Sequence, residues 1–221
     1  MSTANPPSSD SLIASRRSSV RPLDERLTLT AIRMTYVAFS VGFLAFYFAH
    51  AYLEIVNSNG LWLPKLLRIS IAYGVVEVIL PIIALLCILW GWRSTRAEEP
   101  GNKLFVGLVG ALVCGLAAFV LHVVELHAPA TVLTYAGKKA PTFSLQDGGF
   151  ASIFIGTEAL YTVILGLVVL VLAGLTNRAR LGLFSESTIA VAGFTELWGW
   201  VAVVGVLNFL GLWVQPFFPI A

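Results

Sequence analysis

The sequence predicts an all-α polytopic membrane protein, a bundle of five transmembrane helices. The 221 residues are 57% hydrophobic and only 12% charged, about half of the roughly 25% charged residues that a soluble domain carries. From about Ile32 onward the chain consists of long apolar runs, each near the roughly 20 residues that cross a bilayer as a helix. These two observations exclude an ordinary soluble domain.

Five segments are long enough to span, and short polar or Gly- and Pro-containing stretches separate them. The predicted spans are Ile32–Val56, Ile69–Trp92, Leu104–His127, Phe150–Leu175 and Thr188–Trp213. Gly107, Gly110 and Gly115 recur in the third span, where small residues allow helices to pack closely.

Residues 1–30 differ from the rest of the chain because they are rich in Ser, Pro and Arg and contain no apolar core. A secretory signal peptide needs such a core and a small-residue cleavage site. We therefore predict that residues 1–30 form a disordered, basic cytoplasmic tail and that residues 31–221 form the membrane domain.

The Lys and Arg residues predict the orientation of the bundle. With the N-terminus inside, ten of them lie on the cytoplasmic side and four outside, and basic residues favour the cytoplasmic side. We predict a cytoplasmic N-terminus, an external C-terminus and a multi-pass protein of the bacterial cytoplasmic membrane.

Ionisable residues inside the spans predict the functional positions, because a charge at membrane depth costs about 2.5–3.5 kcal/mol on insertion scales. His50 and Glu54 are four apart on the first helix, and His122 and Glu125 are three apart on the third. Each pair therefore shares a helix face. With Glu158 on the fourth helix, these residues share the predicted outer leaflet, and together they offer the imidazole and carboxylate ligands that suit Fe, Cu or Zn.

Two other interpretations stay open for the carboxylates. Glu77, Glu125, Glu158 and Glu196 can pair with neighbouring helices and fix their packing, or a subset can form a proton path. The sequence contains no catalytic triad, nucleotide loop, nucleic-acid-binding stripe or Cys-x-x-Cys-His motif for covalent haem. No catalytic or cofactor-binding residue is therefore predicted.

Several short motifs, in order along the chain, resemble subunit III of the haem–copper oxidases. The segment from His122 to Glu125 resembles that family's Gln-x-x-Glu helix end, and residues 143–148 (Phe-Ser-Leu-Gln-Asp-Gly) resemble its Phe-Thr-Ile-Ser-Asp-Gly loop. Residues 198–204 resemble its last-helix Trp-His-Phe-Val-Asp-Val-Val. Ser40-Val41, Ala51-Tyr52 and residues 60–64 resemble segments in and after its first helix. The match runs from about Arg33 to the C-terminus, in the five-helix form of the family.

The resemblance implies an accessory subunit of a respiratory terminal oxidase, without a redox centre of its own. Such a subunit packs against catalytic and copper-binding chains that hold the haem and copper, binds phospholipid, and supports proton uptake. Val41, Gly199 and Ala202 stand where the family has Glu, His and Asp, so the chain is a divergent form. The alternative is the metal-binding subunit of a membrane-bound monooxygenase, with His50, Glu54, His122 and Glu125 as ligands.

Overall fold

The computed structural model describes residues 9–56, 62, 67–94, 101–127, 133–135, 149–184 and 188–214, and of these it describes the backbone alone for residues 9–25, 67–68, 101 and 133–135. Within them, five helices are long and apolar enough to cross a membrane. In chain order they are α1 (Ser9–Val56), α2 (Ile71–Ser94), α3 (Gly101–His127), α4 (Gly149–Arg180) and α5 (Ile189–Asn208), which continues as a π-helix over Phe209–Val214. The prediction of five membrane-spanning helices is confirmed.

The helix boundaries differ from the predicted ones where hydrophobicity alone does not decide them. Helix α1 begins at Ser9, inside the segment predicted as a tail, and within the described residues its candidate membrane span is Arg26–Val56. The prediction of a cytoplasmic tail over residues 1–30 stays a prediction.

Helix α4 continues five residues past the predicted end at Leu175, because its stop signal is a glycine cap. Gly182 has a φ of 69°, a conformation that glycine adopts readily. The N–H groups of Gly182 and Leu183 bond to the carbonyls of Ala179 and Arg178, which is the Schellman arrangement.

A short antiparallel ribbon, not predicted from the sequence, joins two of the connections. Strand β1 (Leu67–Ile69) pairs with β2 (Leu133–Tyr135), with Arg68 opposite Thr134. Three-residue strands leave no readable periodicity in a sequence. The ribbon ties the segment before α2 to the connection between α3 and α4.

Helices α4 and α5 form the core of the bundle, and α1 lies at its edge. In the most apolar 18-residue stretch of each helix, 50% of the residues are buried in α4 and in α5, whereas 6% are buried in α1. The largest fully buried side chains among the described residues are Trp198 on α5, which packs with Phe194, and Trp213 in the π-helix. The outer face of α1 is correspondingly apolar and exposed, with Met34, Leu44 and Phe48 on it.

Helices α2 and α3 approach each other backbone to backbone at a pair of glycines. A Cβ added to Gly107 would lie 2.7 Å from the carbonyl oxygen of Cys87 and 2.9 Å from the Cα of Gly91. Gly115 faces the ring of Trp198 at a similarly short distance. The prediction that Gly107 and Gly115 are close-packing positions is confirmed, and at these sites a larger residue would force the helices apart.

Candidate functional site

Three helices bring four ionisable side chains together inside the bundle. Glu77 lies on α2, His122 and Glu125 lie on α3, and Glu158 lies on α4. Their exposed fractions are 3%, 4%, 1% and 2%. We call these four residues the carboxylate–histidine cluster.

The imidazole of His122 is the centre of the cluster. Its Nδ1 atom lies 3.2 Å from Oε2 of Glu158, 3.4 Å from Oε1 of Glu77 and 3.7 Å from Oε2 of Glu125. Ligand atoms from Glu77, His122 and Glu125 all lie within 4.8 Å of one another. Three carboxylates from three helices therefore converge on one ring nitrogen.

Local helix geometry explains part of this convergence. His122 and Glu125 are three residues apart on α3, so both project from one face toward α2 and α4. On α2, Pro81 lies inside the helix, four residues after Glu77. Because proline has no N–H, the backbone carbonyl of Glu77 lacks its usual helical donor. The carbonyl of Pro81 itself accepts a 2.9 Å hydrogen bond from the indole Nε1 of Trp198, which links α2 to α5.

Aromatic and amide side chains form the wall of the cluster toward α5. The ring of Tyr161 meets that of His122 edge to face, with centroids 5.0 Å apart, and its hydroxyl donates to the carbonyl of Val201 at 3.1 Å. The side chain of Asn208 accepts a hydrogen bond from the hydroxyl of Tyr47. The π-helix begins at the next residue, and such irregular turns frequently occur at functional sites.

A small cavity lies beside the cluster. Its volume is about 10 Å³, which is close to the space needed for one water molecule. Glu77, His122, Glu158 and Asn208 supply its polar lining, and Tyr161 and Trp213 are among its aromatic residues.

The electrostatics of the cluster are unbalanced. Among the side chains that the structure describes, His122 is the basic group that forms ion pairs with these carboxylates. One imidazole cannot neutralise three carboxylates, and like charges in a desolvated site repel. Buried charges need partners or a bound metal, so the cluster must hold additional protons or a cation.

His50 and Glu54 form a separate pair on α1. His50 Nε2 lies 4.0 Å from Glu54 Oε2, and its ring meets Trp62 edge to face at 5.1 Å. Among the described residues, the group whose ligand atoms could share one metal ion contains Glu77, His122 and Glu125, and it does not contain His50, Glu54 or Glu158. Three of the five residues predicted as possible metal ligands, His122, Glu125 and Glu158, thus lie in the cluster, and His50 and Glu54 do not.

Glu196 also lies outside the cluster. Its two carboxylate oxygens accept hydrogen bonds from Nε and Nη2 of Arg33, both at 2.9 Å. The side chains are 54% exposed for Arg33 and 41% exposed for Glu196. A structural pairing role between α1 and α5 fits this bidentate contact.

The sequence analysis grouped Glu77 with the other helix carboxylates and not with the histidines, so it missed the contact of Glu77 with His122. At 1.5 Å of rise per residue, Glu77 is about 9 Å along α2 from its start, and His122 is about 8 Å before the end of α3. Counting from that common end of the bundle would have found the match. Tyr161 and Asn208 carried no such signal, because neither is a histidine or a carboxylate, the residue types that marked the candidate positions in the spans.

Two chemical roles are open to this arrangement, namely sharing protons among four titratable groups or binding a cation through nitrogen and oxygen ligands.

Of the segments that resemble oxidase subunit III, residues 143–148 lie outside the described residues, as do residues 60–64 apart from Trp62. No protein-family model and no curated protein sequence matches this chain.

Proposed function

We propose that this protein is an accessory subunit, without a redox centre, of a respiratory terminal oxidase, similar to subunit III of the haem–copper oxidases. It packs against a catalytic and a copper-binding chain, binds phospholipid and supports proton uptake by the complex. The haem and copper belong to those partner chains. We also propose that the N-terminus is cytoplasmic, that the C-terminus is external and that the membrane is the bacterial cytoplasmic membrane.

The observation that carries this proposal is a contact between two of the segments that resemble the family. Ser40, from the first-helix segment, accepts a 2.8 Å hydrogen bond from the indole Nε1 of Trp200, from the last-helix segment. The aromatic ring of Phe39 lies 5.9 Å from that of Trp200. The first-helix and last-helix segments, 160 residues apart in sequence, therefore pack against each other. The hydrogen bond itself is particular to this chain, because Trp200 stands where the family motif has Phe, which has no N–H to donate.

The positions of the family-like and divergent residues also support the proposal. Glu125, the carboxylate that matches the family's helix end, is 1% exposed. Val41 stands in place of the family's first-helix Glu and is 63% exposed. An apolar residue on that outward face suits contact with lipid or with another membrane chain, because a carboxylate there would be costly.

The monooxygenase alternative predicts His50, Glu54, His122 and Glu125 as a joint ligand set. The described geometry gives this set less support than the oxidase resemblance receives, because His50 and Glu54 lie outside the metal-compatible group.

Identification of co-purifying chains tests the proposal. The full-length chain, tagged at one terminus, is extracted from its native membrane in a mild detergent and isolated. We expect a haem-containing catalytic chain and a copper-binding chain in equal amounts with it, with a reduced-minus-oxidised haem spectrum. A preparation that contains this chain alone, or partners without haem, contradicts the proposal.

Orientation needs a separate measurement. Single cysteines placed in residues 95–100 and 136–140 are labelled in whole cells with a membrane-impermeant thiol reagent. We expect labelling of residues 136–140 only, and the opposite pattern contradicts the proposed orientation.

A further inference from the structure

Six of the eight side-chain polar atoms of the carboxylate–histidine cluster are buried without hydrogen-bond partners. Both ring nitrogens of His122 lack one, as do Oε1 of Glu77, both carboxylate oxygens of Glu125 and Oε2 of Glu158. Buried polar atoms in native proteins nearly always have a hydrogen-bond partner. Several buried polar atoms without one in the same cluster therefore need a specific explanation, such as a bound ion.

The distances within the cluster fit shared coordination better than direct hydrogen bonding. Charge-assisted N–H···O bonds are about 2.7–2.9 Å long, whereas the three oxygens lie 3.2, 3.4 and 3.7 Å from Nδ1 of His122. In a tetrahedral site with bonds of about 2.0–2.2 Å, neighbouring ligand atoms lie about 3.3–3.6 Å apart. Ligand atoms of Glu77, His122 and Glu125 lie within 4.8 Å of one another, so these three side chains are spaced as ligands around a common centre. Oε2 of Glu158 lies beside them, 3.2 Å from Nδ1 of His122.

The ligand chemistry restricts the kind of ion. Three carboxylates and one imidazole provide oxygen and nitrogen without sulfur, a set suited to manganese, iron or zinc. A divalent cation also supplies the positive charge that the cluster lacks. The cavity lined by Glu77, His122 and Glu158 has a volume of about 10 Å³, enough for one water molecule as a further ligand.

We infer that Glu77, His122, Glu125 and Glu158 bind one divalent first-row transition-metal ion, through Nδ1 of His122 and an oxygen of each carboxylate. The ion joins α2, α3 and α4 at one end of the bundle, and the wall formed by Tyr161 and Asn208 lies on the side of α5. This site is independent of the proposed function, because an accessory subunit of the kind proposed needs no metal of its own.

Metal analysis of matched variants tests the site. The full-length wild-type chain, Glu77→Gln, Glu158→Gln and the double variant are purified with a tag that contains no histidine. Manganese, iron and zinc are measured per chain by mass spectrometry, and the iron held in haem, determined from the haem absorbance, is subtracted; copper is not counted, because the proposed partner chain holds it. Glu196→Gln is the matched control, because it removes a helix carboxylate that lies outside the cluster and pairs with Arg33.

We expect about one non-haem ion per chain in the wild type and in Glu196→Gln, and at least a tenfold lower content in the double variant. Equal metal content in the wild type and the double variant overturns the inference. So does a wild type that holds no ion after incubation with Zn²⁺, Mn²⁺ or Fe²⁺ followed by removal of free metal; the cluster then holds protons only.

A second measurement covers the case in which the variants do not fold. The wild-type chain is stripped with a chelator, and its thermal unfolding is followed before and after addition of Zn²⁺, Mn²⁺ or Fe²⁺. We expect a lower melting temperature without metal and recovery with one equivalent, because a ligand that binds the native state stabilises it. An unchanged melting temperature in all samples overturns the inference. The metal content of this chain is measured whichever chains accompany it, so this result and the test of the proposed function fail separately.

Discussion

The carboxylate–histidine cluster and the Arg33–Glu196 pair are two different solutions for carboxylates on membrane helices. Glu196 faces a guanidinium that donates two hydrogen bonds of 2.9 Å, and both side chains are about half exposed. The three clustered carboxylates share one imidazole and are almost fully buried. The charge of Glu196 is balanced by Arg33 alone, whereas the carboxylates of the buried cluster need protons or a cation in addition to His122.

Removal of the imidazole should have the largest effect on the cluster. In His122→Ala, three buried carboxylates lose their basic neighbour, and breaking a buried charge pair costs about 3–5 kcal/mol. We expect a strongly reduced yield of folded protein and a much lower melting temperature in detergent. His127→Ala is the control, because His127 is an exposed residue on the same helix, and it should behave as the wild type. Equal stability of the two variants would show that the cluster does not depend on His122.

Displacement of the aromatic wall should have a smaller effect. A Cβ at position 205 would lie 2.7 Å from the hydroxyl oxygen of Tyr161, so Gly205→Ala must move the ring that contacts His122. Overpacking of this kind costs about 1–3 kcal/mol. Gly199→Ala on the same helix has no atom within 4 Å of the added carbon and should not destabilise the protein. Thermal unfolding of the two variants side by side measures the difference, and equal losses would contradict this account of the wall.

Loss of the hydroxyl at Ser40 should have a modest effect, because its neighbours retain other contacts. Ser40→Ala removes the acceptor for Trp200 and the donor to the carbonyl of Tyr36. Side-chain hydrogen bonds between membrane helices contribute about 0.6 kcal/mol on average. We expect a small decrease in melting temperature, measured against Ser94→Ala, whose hydroxyl bonds only within its own helix, to the carbonyl of Gly91. A decrease as large as that of His122→Ala would show that the α1–α5 contact contributes as much to stability as the cluster does.

Neutralisation of the exposed pair should have the smallest effect. Arg33→Gln leaves Glu196 with substantial exposure, and exposed ion pairs contribute little to stability. We expect a melting temperature that is not distinguishable from that of the wild type. A loss as large as that of Gly205→Ala would remove the contrast between the two regions.

The five helices were predictable because a long apolar run identifies a membrane helix even when its first and last residues are misplaced. The ends themselves depend on local chemistry, such as the Gly182 cap that extends α4 to Arg180. The cluster was only partly predictable. His122 and Glu125 share a face by their spacing alone, and their depth follows from topology.

The partners of His122 depend on helix neighbours and rotation, which a single sequence does not contain. Glu77 on α2 approaches His122, whereas His50 on α1 contacts Trp62 and Glu54. Both candidates lie at a comparable depth from the same end of the bundle. Their different contacts reflect the positions of their helices, since α1 lies at the edge and α2 packs directly against α3.

The glycine contact between α2 and α3 determines which residues can meet at the far end of these helices. Glu77 precedes Gly91 by fourteen residues on α2, and His122 follows Gly107 by fifteen residues on α3. These separations correspond to about 21 Å and about 22 Å of helix, respectively. These nearly equal lengths bring the two side chains to the same level. One residue inserted into α3 between Gly107 and His122 would turn the imidazole by about 100° and advance it by about 1.5 Å, away from Glu77 and Glu158 together, while Glu125 on the same helix would turn with it.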